Sequence, residues 1–437
     1  MSGPFRLLLI GDSDSQLLAC EALCRFPSEL NVQVTINAIP RDGTPDTILK
    51  RAAALGELWR LEMGQLLTHP ELHDFDAIGV YLTGSKISDF RQALGLLPSR
   101  ERPLLFCGFN GVVLEKFMEG MSWRLGYDLV CLSGPRDREA LDRMLEGSPF
   151  AGQRTVLTGL HRQEISDDQL LDQQQRRKQL VFAEQVVMPS SPADRAEMVR
   201  ILADLARRSP DWEVLIKPRI APGETTFHSI KDHISTTLLQ TLGHPPDNLR
   251  FDYRALPDLL RQARLMATIS STAFFDALDM GCRPLVMADF GINPANGSHV
   301  FAGSGVWRCL DQVEDLDALD RSLPSPNPDW LAWMGYGTNL DPVELIEALR
   351  QLRADPPERL STTSGYLSNA NLSFTQLRRD AERAIRQKNW QEAQSLLQLG
   401  SLMRPTHRNV ARRSRAVQHR NRIIRRLLLS LTYRDVG

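Results

Sequence analysis

Short apolar runs alternate with amphipathic stretches along most of the chain. FRLLLIG, VQVTINAI, AIGVYLTG, PLLFCGF, YDLVCLSG and TVLTGL are bounded by turn residues and read as buried strands. Between them, TPDTILKRAAALGELWRLEMGQLL and REALDRMLEG carry helical periodicity. Strands that are apolar throughout and alternate with helices belong to parallel sheets covered on both faces. A polar segment, HRQEISDDQLLDQQQRRKQ, interrupts the pattern. It resumes with LVFAEQVV, the helical DRAEMVRILADLARRSP, and the strands EVLIKPR, LRFDYR, LMATIS and RPLVMAD. The alternation predicts an α/β chain of two doubly wound Rossmann-like domains, residues 1–160 and 178–360, joined by a connection at 161–177. In such sheets the ligand lies beyond the carboxyl ends of the strands, so both sets of post-strand loops are expected to face a shared cleft.

After residue 360 the pattern changes. STTSGYLSNANLS reads as a linker, and beyond it Ala381, Ala393 and Gly400, with Trp390 and Pro405, resemble the fixed small positions of one tetratricopeptide helix pair. A lone unit builds no solenoid and is expected to pack on the main body. The last segment, NRIIRRLLLSL, sets Ile423, Ile424, Leu427, Leu428 and Leu431 beside Arg422, Arg425 and Arg426. An apolar face edged with guanidinium groups suits an anionic membrane surface, or else a helix docked on the protein.

Composition refines this picture in three places. A length of 437 residues exceeds what one core usually serves, and 42% apolar with 24% charged residues is ordinary for a globular enzyme. The formal net charge of −1 hides a gradient, because every Lys, Arg, Asp or Glu from Arg404 to Arg434 is an arginine. That basic tail lacks the interleaved aromatic residues of a nucleic-acid binder. The six cysteines lack Cys-x-x-Cys spacing and read as small buried residues in a reducing compartment. No secretory signal and no bilayer-length apolar run is evident, so a cytoplasmic protein is expected, peripheral on the membrane if the tail binds lipid.

Candidate chemistry gathers at the strand ends. LMATIS ends in Ser270-Ser271-Thr272, where a helix begins; hydroxyls and free N–H groups at such a start suit phosphate, and also ordinary capping. EVLIKPR delivers Lys217 and Arg219 across Pro218, followed by Gly223, Glu224 and His228. Two cations at a strand end suit a phosphate or carboxylate. LVFAEQVVMP ends with Glu184 and Gln185 before a helix.

The order Phe-x-x-Gln, helix, strand with Lys-Pro-Arg and His, helix, then Thr-x-Ser-Ser-Thr with Asp276-Ala-Leu-x-x-Gly resembles the C-terminal half of GT-B glycosyltransferases over residues 178–292. It is most similar to bacterial capsule and lipooligosaccharide enzymes that use CMP-activated Kdo or sialic acid. Many of these carry His-Pro where this chain has Lys217-Pro218-Arg219. The resemblance implies that the second domain binds a nucleotide sugar through Gln185, Lys217, Arg219, Glu224, His228, Ser270, Ser271 and Thr272. It implies cationic stabilisation of the leaving phosphate, without a metal or other cofactor. A CDP-glycerol-type polyol-phosphate transferase and a non-catalytic scaffold with a degenerate transferase fold are the rival readings.

The turn Gly11-Asp12-Ser13-Asp14-Ser15 is open to four readings: nucleophile, metal site, general base or helix cap. A Gly-Asp-Ser esterase needs a late Asp-x-x-His and a Gly-x-Asn-Asp block; the chain has neither, its GFNG stopping one residue short of the latter. An inverting sugar transfer needs a carboxylate to take the proton of the attacking hydroxyl, which makes Asp14 the candidate base, with Asp12 second. Ser13, Ser15, Thr83, Gly84, Asn110, Arg124 and Asp128 are then expected on the acceptor side, facing a surface glycan or glycolipid.

Overall fold

The computed structural model describes residues 3–24, 27–40, 44, 46–82, 84–95, 102–112, 117–148, 151–160, 165, 170–186, 188–219, 233–337, 342–356, 374–403 and 407–432. The chain forms two compact units, one of residues 1–160 with 337–437 and one of residues 161–336.

The first unit begins with β1 (Phe5–Gly11), α1 (Asp14–Ala22), β2 (Val32–Ala38), α2 (Asp46–Leu55), β3 (Glu57–Trp59), α3 (Met63–Leu67) and β4 (Ala77–Tyr81). It continues with α4 (Ser85–Gly95), β5 (Leu104–Cys107), α5 (Phe117–Ser122), β6 (Leu129–Leu132), α6 (Pro135–Leu145) and β7 (Thr155–Leu157). All seven strands are parallel, in the order β3-β2-β1-β4-β5-β6-β7. Successive side chains of a strand point to opposite faces. Leu7 and Leu9 accordingly join one buried core with α1 and α2, and Leu8 and Ile10 join another with α3, α4, α5 and α6.

Strand β3 falls inside a stretch whose periodicity predicts one long helix. Gly56 accounts for the break: a Cβ there would stand 2.1 Å from the Val34 carbonyl oxygen. Only glycine lets the chain lie that close to β2, and β3 then pairs with Thr35–Asn37.

The second unit runs β8 (Arg177–Ala183), α7 (Pro192–Arg208), β9 (Glu213–Lys217), α8 (Ile234–Leu242), β10 (Leu249–Phe251), α9 (Leu256–Leu260) and β11 (Ala263–Thr268). Then come α10 (Ala273–Asp279), β12 (Arg283–Met287), β13 (Trp307–Arg308), α11 (Leu316–Ser322) and α12 (Pro328–Met334). Its six parallel strands follow β10-β9-β8-β11-β12-β13, the same winding as the first sheet. Arg176, at the end of the expected connection, is a structural hub of this unit. Its buried guanidinium donates to the carbonyls of Leu171, Leu260, Ala263 and Met280. Leu260 and Met280 close α9 and α10, where helix carbonyls lack partners and favour a cation.

One boundary, and the make-up of the C-terminal region, differ from the sequence expectation. The chain returns to the first unit at Gly337, not at the linker after residue 360. Helix α13 (Pro342–Ala354) buries Leu345, Ile346 and Leu349 completely against the Leu7/Leu9 face, which α1 and α2 leave partly uncovered. The C-terminal region, in turn, forms four packed helices among the described residues: α14 (Phe374–Arg386), α15 (Trp390–Met403), α16 (Arg408–Gln418) and α17 (Arg422–Thr432). Ala381, Ala393, Leu396, Val410, Val417 and Leu429 make their common core. The buried Arg413 binds Glu382 and the Thr432 hydroxyl, tying α16 to α14 and α17. Among the described residues no helix is long and apolar enough to cross a membrane.

Candidate functional site

In both sheets the winding reverses direction beside the first strand, between β1 and β4 and between β8 and β11. Loops leaving the carboxyl ends of those strands diverge to opposite faces and open a crevice. The sequence candidates fall largely on these loops.

In the first unit β1 ends at Gly11, and Asp12 follows with its carboxylate buried. Lys86, from the start of α4, donates to Asp12 Oδ2 at 2.5 Å and so spans the gap between β1 and β4. Gly84, with φ +54°, makes the left-handed turn that carries the chain from β4 into α4. The Asp12 backbone N–H donates to Gln16 Oε1 at 2.6 Å, a reach-back from inside the helix. Ser13 is the N-cap residue, yet its hydroxyl caps nothing; its Oγ lies 3.4 Å from Ser15 Oγ. The turn is therefore held by Gln16 and Lys86 and not by its N-cap hydroxyl. Asp14, the first helical residue, is exposed and pairs with no described side chain.

The remaining acceptor-side candidates divide. Asn110, in the loop after β5, keeps a buried Oδ1 that meets no hydrogen-bond donor among the described residues. Arg124 is buried and committed to that loop: it donates to the Gly108 and Gly120 carbonyls, and its guanidinium lies 3.8 Å over the Phe109 ring. Burial holds its pKa below the usual arginine value. Asp128 corrects the sequence expectation. It precedes β6, at the amino ends of the strands, where Arg102 clamps it at 2.6 and 2.8 Å and the Leu105 N–H donates to it at 2.7 Å. Asp128 is thus a buried structural partner at the opposite end of the sheet from the acceptor candidates. Thr83 lies outside the described residues.

In the second unit Gln185, just past β8, grips the loop after β11. Its Oε1 accepts from the Ser270 N–H at 2.9 Å, and its Nε2 donates to Ser270 Oγ at 3.2 Å. Glu184 is neutralised by Arg195 of α7 at 2.9 Å, and the Arg219 N–H approaches its other oxygen at 3.5 Å. Lys217 ends β9 and donates to the Pro218 carbonyl at 2.6 Å. The Arg219 side chain is exposed and makes no ion pair among the described residues. Ser271 Oγ accepts from the Ala273 N–H at 3.2 Å, and Thr272 is exposed with no capping bond. Glu224 and His228 lie outside the described residues.

Three neighbours were not among the sequence candidates. Lys86 lies two residues after the singled-out Gly84, but only the tertiary pairing with Asp12 gives it a role. Tyr253 is 45% exposed and stacked on Phe251. It stands at the carboxyl end of β10, where the Asp252 N–H binds the Ile216 carbonyl of β9, one residue before Lys217. Asp276 sits in the first turn of α10, and burial, with the charge of Asp279 added, pushes its carboxyl up to about 6. The thiols of Cys131 and Cys282 are pushed up to about 12 by burial, which leaves them unreactive near neutrality. Among the described residues no three His, Cys, Asp or Glu side chains converge as a metal site would require.

One unit thus presents an exposed carboxylate beside a locked one, and the other presents cations, hydroxyls and an exposed aromatic ring. Two doubly wound parallel sheets carried in one chain are the components of the GT-B fold, an architecture that many glycosyltransferases share. The chain belongs to the family described as "Putative glycosyltransferase (DUF6716)", which matches residues 7–352.

Among solved structures, a glycosyltransferase from Rickettsia africae ESF-5 is similar at 9% identity and TM-score 0.49, over 82% of this chain and 100% of that one. The UDP-GlcNAc 2-epimerase from Neisseria meningitidis bound to UDP-GlcNAc aligns at 12% identity and TM-score 0.46, over 79% and 100%. A UDP-glucosyltransferase from Polygonum tinctorium capable of glucosylating indoxyl aligns at 12% identity and TM-score 0.40, over 99% of each chain. No curated protein matches the chain in sequence.

Proposed function

We propose that the enzyme transfers a sugar from a nucleotide donor to a hydroxyl of a surface glycan or glycolipid, with inversion at the anomeric carbon. The observation that carries this reading is the grouping of Arg219 and Lys217 at the end of β9 with Tyr253 after β10. The loop Ser270–Thr272 is braced by Gln185 within the same sheet. A cation pair fits the diphosphate or monophosphate of the donor, an exposed ring fits a base, and hydroxyls complete the phosphate shell.

In the reaction the acceptor oxygen attacks the anomeric carbon, the bond to the donor phosphate breaks, and negative charge grows on that phosphate. Lys217 and Arg219 neutralise this charge, which lowers the barrier by stabilising it as it develops. Asp14 takes the proton from the attacking hydroxyl. Asp12 is less suited to that role, since its carboxylate is buried and Lys86 already occupies one of its oxygens. The Asp12–Lys86 pair instead fixes the turn from which Asp14 projects. Glu224 and His228 remain donor-side candidates, and a CMP-activated Kdo or sialic acid is the donor that the sequence resemblance favours. The helix pair α14–α15, tetratricopeptide-like in its small positions Ala381, Ala393 and Gly400, serves in this reading as a cap on the first unit.

Thermal-shift titration with CMP, CDP, UDP and GDP tests the donor side. Stabilisation by one nucleotide, and its loss in Arg219→Ala, is the expected result. Equal affinity in wild type and Arg219→Ala would place the nucleotide elsewhere.

A further inference from the structure

The four-helix C-terminal region ends in a helix that is only half covered. One side of α17 joins the region's core through Leu429 and Thr432, with Leu428 packed against it, and Arg425 lies 4.5 Å over the Trp390 ring. The other side exposes Ile423 (78%), Leu427 (61%), Leu431 (51%) and Ile424 (41%). Ile423, Leu427 and Leu431 are spaced four apart and form a continuous aliphatic stripe, with Ile424 beside it. The structure thus divides the expected apolar face in two: Leu428 belongs to the protein, and the other four residues face solvent.

Going round the helix, the stripe is edged on one side by Arg426 and Arg422 and on the other by the inward-facing residues. Both arginines are exposed, as are Arg408, Arg412, Arg415 and Arg420 on α16 and the turn after it. No Asp or Glu occurs between Glu392 and Asp435. This charge chooses among the possible occupants. A second copy docked by two-fold symmetry would set this arginine-rich face against itself, and like charges in a low-dielectric contact oppose association. An anionic lipid surface instead attracts each arginine, while its acyl boundary accepts the aliphatic residues to a shallow depth.

We propose that α17 docks the enzyme on anionic membrane surfaces, with Ile423, Ile424, Leu427 and Leu431 entering the headgroup region and Arg422 and Arg426 binding lipid phosphates. Such docking holds the enzyme where a glycolipid acceptor is found, but it rests on α17 alone and not on the transferase reading.

The test is flotation of the full chain with vesicles of phosphatidylcholine alone or mixed with phosphatidylglycerol. Binding to the mixed vesicles only, weakened by salt, is expected. Ile423→Glu with Leu427→Glu should reduce that binding by at least about tenfold, and Arg422→Gln and Arg426→Gln by about fivefold each. All four side chains are at least partly exposed, so an unchanged melting temperature verifies that the variants fold. The proposal is overturned if the wild type ignores phosphatidylglycerol vesicles or binds both kinds equally. It is also overturned if light scattering shows a dimer that Ile423→Glu dissolves. No outcome depends on turnover, so failure here leaves the sugar-transfer reading standing.

Discussion

In the first sheet the crevice between β1 and β4 is closed by an ion pair, Asp12 to Lys86. In the second, the equivalent crevice between β8 and β11 is closed by neutral bonds from Gln185 to Ser270. The strand winding is the same, so the difference lies in the residues placed on the post-strand loops and the helices they lead into. The first unit keeps its lysine engaged and leaves a carboxylate, Asp14, exposed. The second neutralises its acid, Glu184, through Arg195 and leaves Arg219 exposed. One winding thus yields an electronegative and an electropositive loop set, which is the division that the proposed proton removal and phosphate binding call for.

The largest expected effect tests the first half of this contrast. Asp14→Asn keeps the size of the side chain and removes its basicity. Turnover should fall by about 10²–10⁴-fold, with nucleotide affinity and melting temperature near wild type. Asp12→Asn should behave differently, lowering stability by weakening the Lys86 contact while part of the turnover survives. Normal rates in both variants would show that this turn supplies no base.

Arg219→Ala probes the other half. Loss of one charge-assisted phosphate bond costs about 1.5–3 kcal/mol, or about ten- to a hundredfold in the dissociation constant by calorimetry. The same variant should leave the melting temperature of the free protein unchanged, because Arg219 supports no described ion pair.

Asp276 sharpens the contrast through pH. Its folded-state pKa of about 6 lies above the ordinary 3.8, so the folded chain holds this proton more tightly than the unfolded one. Stability contributed by the protonated form is therefore greatest below about pH 4 and is lost as pH rises through about 6. The difference corresponds to about 2–3 kcal/mol. Asp276→Asn should raise the melting temperature at about pH 8, and the gain should vanish at about pH 4. A gain of equal size at both values would trace the effect to packing and not to the buried charge.

The smallest effects concern the two closures themselves. Lys86→Met and Gln185→Ala should each cost about 1–3 kcal/mol by denaturant unfolding, since each leaves a buried polar partner behind. Only the first cost should shrink in high salt, because Lys86 is 54% exposed and screening reaches its charge. Equal salt dependence would remove the distinction between a charged and a neutral closure.

The alternation of strands and helices, the fold class and most of the post-strand loops could be read from local pattern. Apolar runs such as Leu7–Ile10 and Leu265–Ala267 can be buried only between layers, and the turns after them must then carry whatever faces solvent. Asp12, Asp14, Lys217, Arg219 and Ser270 are all found at those strand ends for that reason. Three-dimensional neighbours decided the rest. Asp128 reads as a loop residue beside Arg124, yet it pairs with Arg102, 26 positions away, because β5 and β6 start side by side. Lys86 is one of seven lysines in the chain, with no evident role until β4 is placed next to β1, 74 positions from Asp12. Helix α13 lies beyond the second sheet in sequence but covers the first, because the Leu7/Leu9 face had area still to bury. In the tail, periodicity shows that α17 is amphipathic, and only packing shows that Leu429 is buried while Ile423 and Leu427 face solvent. Sequence sets which residues must leave water; which partners they meet there depends on contacts between distant segments, and these exist only once the chain has folded.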